Sequence, residues 1–147
     1  MPQTIEQVLS TATFYTDDED YILIKLAPNA ITVAAGIVAQ NGIPFNALIV
    51  DKDEVTLLIQ SLALEDFVQR LREYEVAVMK YRLITIDVVL EPELIGFMAC
   101  LTEALAAASI PILAYGAYSR DHLFVPVDKL DSALHTLENL KISRGQG

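Results

Sequence analysis

Prolines fall at matching places in two successive stretches of this chain, and that spacing restricts the fold more than any other feature. Leu26-Ala27-Pro28 ends one apolar run and precedes Ile31, Ala34, Ala35 and Val38 at helical spacing; Leu90-Glu91-Pro92 ends another and precedes Phe97, Leu101, Leu105 and Ala108. Ile43-Pro44 and Ile110-Pro111 then lead from each helical pattern into a further apolar run. Proline interrupts helix interiors and central strands because it lacks an N–H and has a fixed φ. Its recurrence therefore records where elements break, which hydrophobicity does not set, and it marks an internal duplication.

Both copies read as strand, helix, strand, strand, helix. In the first, Tyr21-Ile22-Leu23-Ile24-Lys25-Leu26 is a strand, and Asn29 and Asn41-Gly42 are the cap and stop of the helix that follows. A hairpin over residues 45–59 turns at Asp51-Lys52-Asp53-Glu54, a second helix carries Leu64, Phe67, Val68 and Leu71, and residues 74–79 supply a closing strand. In the second copy the strand is expected over 83–90 and the helix over 94–109, followed by a hairpin through Ser119-Arg120-Asp121 and a helix through Leu130, Leu134 and Leu137. No closing strand follows, since 141–147 is polar and expected to fray. Ahead of the repeats, Thr4 and Gln7 are spaced to start a capped helix, and Thr13-Phe14-Tyr15 is a short strand expected to fill the vacant edge of the second sheet. The organisation is thus a first repeat over 12–80 and a second over 81–140. The fold class is α+β, with antiparallel sheets covered by helices on one face.

Composition narrows the function. The chain has 147 residues, 53% of them hydrophobic, enough for a sizeable core. A formal charge of −10, with ten scattered Lys and Arg, opposes a phosphate-tracking surface, so nucleic acid is not expected as a partner. No apolar tract is long enough to span a bilayer, Met1-Pro2-Gln3-Thr4 does not open a secretory leader, and one cysteine allows no internal disulfide. The cytoplasm is the expected compartment, and the high apolar content points to a homodimer through sheet edges or helix faces. Asp17-Asp18-Glu19-Asp20 reads as a solvated turn, without the glycine and spacing of a calcium loop.

With the repeat laid out, the chain resembles the tandem ACT domain family, the stand-alone double-ACT proteins related to aspartate kinase regulatory domains and to the cytosolic arginine sensor. Three segments carry the resemblance, residues 51–58, 87–97 and 118–126. It implies a ferredoxin-like βαββαβ fold per repeat and side-by-side pairing of sheets. It also implies an amino acid held where two ACT units meet, modulating self-association or a partner protein, with no cofactor and no metal.

The strand-to-helix junction in the second copy is where physics and resemblance coincide. Glu93, Leu94, Ile95 and Gly96 lie at the helix start, where backbone N–H groups favour a carboxylate and glycine permits close approach. Asp121 matches the family position that offers an acid to a ligand's cationic end. Aligning the prolines puts Thr32 opposite Gly96 and Glu54 opposite Asp121. The second copy is then the main ligand loop, and Asn29, Ala30 and Ile31 form the opposite wall. Simpler roles stand beside these: Gly96 for helix packing, Asp121 as a turn carboxylate, His122 as a packed imidazole, His135 facing solvent, and Cys100 as a buried inert thiol. No HExxH, CxxC, P-loop or GxSxG is present, which favours binding over catalysis. The alternative to a ligand sensor is a structural module that only binds other proteins.

Overall fold

The structure is a computed structural model that describes residues 2–42 and 44–144. Its chain divides into two compact units, Glu19–Tyr81 and the remainder, which joins the segment up to Asp18 to the segment from Arg82. Helix α1 (Ile5–Thr11) opens on the expected capping box: Thr4 Oγ1 accepts from Gln7 N–H at 3.1 Å, and Gln7 Oε1 from Thr4 N–H at 3.0 Å. Strand β1 (Thr13–Tyr15) follows directly.

In the unit Glu19–Tyr81 the elements are β2 (Tyr21–Leu26), α2 (Ile31–Asn41), β3 (Ala47–Val50), β4 (Val55–Gln60), α3 (Ala63–Phe67) continued by a 3-10 turn, and β5 (Tyr74–Val76). The strand order is β3-β4-β2-β5, antiparallel at each contact, with β2 and β4 in register from Tyr21↔Gln60 to Leu26↔Val55. Alternate strand residues Ile22, Ile24, Leu26, Leu57 and Ile59 pack against Ala34 and Ile37 of α2 and Phe67 of α3. Asn29 does not cap α2. Ala30 holds that position without a side-chain hydrogen bond, because Pro28 and Asn29 are the centre of a turn closed by Ala30 N–H to Ala27 O at 3.0 Å. The helix stops as expected at Gly42, where φ is 66°; Ile43 of the Ile43-Pro44 pair lies outside the described residues.

The other unit contains β6 (Tyr81–Asp87), α4 (Phe97–Ala107), β7 (Leu113–Gly116), β8 (Asp121–Pro126) and α5 (Leu130–Arg144). Its strand order is β7-β8-β6-β1, with β1 antiparallel to β6 in the register Thr13↔Asp87 to Tyr15↔Thr85. The core is built from Ile84, Ile86, Leu123 and Val125 on the sheet, Phe97, Leu101 and Leu105 on α4, Leu137 on α5, and Val8 and Leu9 on α1.

Several boundaries differ from the sequence reading: β5 ends at Val76, not 79, and α4 at Ala107, not 109, and three more have a visible cause. β6 ends at Asp87, not at 90, because the next residues bond elsewhere: Leu90 N–H donates to Ser119 O at 2.8 Å, and Val89 and Glu91 bond to Gln3. α4 begins at Phe97, not at 94, since Gly96 has φ 86° and cannot belong to a right-handed helix. Lys141–Arg144 do not fray; they continue α5, with Lys141 Nζ donating to Ala12 O at 2.5 Å and Arg144 Nη2 pairing with Glu6 at 3.2 Å. Residues 145–147 are outside the described set.

Candidate functional site

The loop 88–96 and the β7–β8 hairpin border a cavity of about 400 Å³ within the second unit. Leu94 N–H donates to Glu91 O at 3.1 Å, folding the loop back on itself so that Glu91, Pro92 and Leu94 line one wall. The opening residues of α4 make the floor. Gly96 sits at the N-cap and provides no side chain to cap the N–H groups of Phe97, Met98 and Ala99, and all four residues line the cavity. The partial positive charge at this helix end is therefore directed at the space.

Asp121 also lines the cavity. It is the first residue of β8 and pairs with Gly116, where an added Cβ would meet Asp121 Oδ1 at 3.7 Å, an ordinary contact distance. Burial pushes the Asp121 carboxyl above its ordinary value, and a protonated His122 beside it would act in the opposite sense. His122 itself is pushed down by burial, against the pull of Asp121, and its Nδ1 lies 2.9 Å from Thr85 Oγ1 on β6. Arg120 is engaged with Asp87, Nε to Oδ1 at 2.9 Å. The cavity lining thus combines helix-start donors, an acid partly stripped of water, and the apolar Leu90, Phe97 and Met98.

Of the residues singled out from sequence, Leu94, Gly96 and Asp121 come together here, while Glu93 and Ile95 do not line the cavity, and Ile95 is 88% exposed. Asn29 and Ala30 line a different cavity, of about 510 Å³, in the unit Glu19–Tyr81, together with Arg70 and Arg72; Ile31 is exposed and not part of it. Glu91 and Tyr118, not among the residues expected from sequence, also line the cavity. Their adjacency to Pro92 and Ser119 was the available signal.

The two copies also align differently from the proline match. Both α2 and α4 have 11 residues and follow Ala30 and Gly96, so Ala30, not Thr32, is the counterpart of Gly96. The hairpin registers, Val50↔Val55 and Gly116↔Asp121, make Val55, not Glu54, the counterpart of Asp121. At the helix the proline match fails because the connection before it spans 27–30 in one copy and 88–96 in the other; at the hairpin it fails because Pro44 lies three residues before β3 and Pro111 two before β7. The first copy consequently has a buried valine where the second has a carboxylate, and an alanine where the second has its left-handed glycine.

Other chemistry is sparse. Among the described residues no three His, Cys, Asp or Glu side chains converge to hold a metal ion, and no helix is long and apolar enough to cross a membrane. Cys100 is buried, and His135 is exposed and bonded to Asn139.

Residues 77–139 match the sequence model of the ACT domain. No protein of curated function matches the chain by sequence. Among solved structures, a Vibrio cholerae protein of unknown function, described as a possible transport protein, superposes with a TM-score of 0.73 at 22% identity, covering 94% of this chain and 96% of that one. The regulatory subunit of aspartate kinase from Thermus thermophilus gives 0.64 at 14% identity, covering 88% and 97%. The aspartate kinase of Clostridium acetobutylicum gives 0.68 at 13% identity, covering 88% of this chain and 34% of the enzyme. At such identities the likeness is one of fold. Residues 77–139 thus carry the sequence pattern of an ACT domain, and over most of its length the chain has the fold of aspartate kinase regulatory subunits.

Proposed function

We propose that this protein is a regulatory module that binds a free amino acid in the cavity of its second unit and changes its association with itself or with another protein. One observation carries the reading: uncapped N–H groups at the start of α4 and the Asp121 carboxylate border the same space of about 400 Å³. A zwitterion would place its carboxylate at the helix start and its cationic end against Asp121, with apolar contact from Leu90, Phe97 and Met98. The resemblance in fold to aspartate kinase regulatory subunits supports regulation, not catalysis. Self-association is supported by β5 and the residues after it, where Tyr74, Val76, Val78 and Met79 are all exposed.

The test is a thermal-shift panel of the amino acids followed by calorimetry, since a ligand bound only by the folded state raises apparent stability. We expect a shift from at least one of them and a loss of affinity in Asp121→Ala with the fold intact. No shift at millimolar concentration, or equal binding by Asp121→Ala, overturns the reading. Light scattering with and without the amino acid reads self-association; a monomer under both conditions removes that form of the regulation and leaves only a partner protein.

A further inference from the structure

The loop that borders the cavity is held from outside the repeat. Gln3 makes three hydrogen bonds to it: its backbone N–H donates to Glu91 Oε2 at 3.0 Å, its Nε2 donates to Val89 O at 2.9 Å, and its Oε1 accepts from Glu91 N–H at 2.7 Å. The last two reproduce with a side-chain amide the pair of bonds a neighbouring strand would make on either side of Leu90. At the far end of the loop, Ile5 Cδ1 lies 3.7 Å from the place a Cβ on Gly96 would occupy. One short segment therefore touches both ends of the loop, and Glu91 and Gly96 are themselves cavity residues.

That segment is firmly anchored. Thr4, next to Gln3, caps α1; Val8 and Leu9 are buried in the core; and Glu6 and Ala12 are bonded to Arg144 and Lys141 of α5. The clasp also engages the Glu91 carboxylate, which accepts from the Gln3 backbone N–H. We propose that Gln3 is a positioning residue for the binding loop, and that docking of residues 3–11 and occupancy of the cavity are coupled. A ligand that orders the loop tightens the clasp, and a docked clasp strengthens binding by the same factor, because coupling between two binding equilibria is reciprocal. The coupling rests on the reading of the cavity as an amino-acid site; the clasp itself does not.

Hydrogen exchange read by mass spectrometry on the full chain, wild type and Gln3→Ala, tests both. Without additive, Gln3→Ala is expected to speed exchange across 88–96; unchanged exchange there overturns the proposal. With each of the twenty L-amino acids added singly at millimolar concentration, the one that binds wild type is expected to slow exchange in both 88–96 and 5–11. Gln3→Ala should bind it about tenfold more weakly, with no response in 5–11. Equal affinity, or an equal response in 5–11, overturns the coupling, and a purely structural Gln3 would lower stability while leaving both unchanged. If no amino acid binds wild type yet the loop is released by Gln3→Ala, the amino-acid reading falls and the positioning role of Gln3 stands.

Discussion

Replacing Gly96 with alanine isolates the conformational demand at the start of α4. Gly96 has φ 86° and ψ 2°, a left-handed conformation that costs an L residue about 1–2 kcal/mol. Space is not the obstacle, because the nearest atom to an added Cβ is Ile5 Cδ1 at 3.7 Å, an ordinary van der Waals distance. The penalty is therefore a backbone penalty, and for a chain of this size it corresponds to a fall in Tm of about 3–8 °C. Gly36 supplies the control: it lies inside α2 with nothing within 4 Å of an added Cβ, so Gly36→Ala is expected to stabilise by about 0.5–1 kcal/mol. Asparagine tolerates left-handed backbone better than alanine, so Gly96→Asn should fall between wild type and Gly96→Ala. Urea unfolding monitored by circular dichroism measures all three. A Gly96→Ala protein as stable as wild type, or a Gly96→Asn protein less stable than Gly96→Ala, refutes the argument.

Asp121 has a raised folded-state value, so its contribution to stability falls as pH rises from its ordinary 3.8 through that raised value. Asp121→Asn should therefore be more stable than wild type at neutral pH, with the gap closing below pH 3.8 in a pH series of urea midpoints. His122 has a lowered value, so wild type should lose stability as pH falls from 6.5 through it. His122→Phe should lack that loss, yet be less stable at neutral pH by about 1–3 kcal/mol, because the buried Thr85 hydroxyl loses its partner. Thr4→Ala removes one half of the capping box and should cost about 1 kcal/mol, with faster exchange in α1; unchanged exchange there would show that the box does not hold the helix.

What the amino-acid sequence determined by itself is local or periodic. The duplicated order of elements, the capping box of Thr4 and Gln7, the stop at Gly42 and the hairpin turns depend on residues a few positions apart, so the chain's own chemistry announces them. The tertiary structure decided what depends on distant partners. β6 ends at Asp87 because Val89, Leu90 and Glu91 find partners in Gln3 and Ser119, and α5 continues to Arg144 because Glu6, Ala12 and Cys100 lie along it. The pairing of Asp121 with Val55 across the copies follows from hairpin registers, which proline spacing does not encode when one connection is longer than the other. A side chain's hydrogen-bonding capacity can be read from its identity, but the group that uses it, when it lies 88 residues away as Glu91 does from Gln3, is chosen only by the folded core that brings the two together.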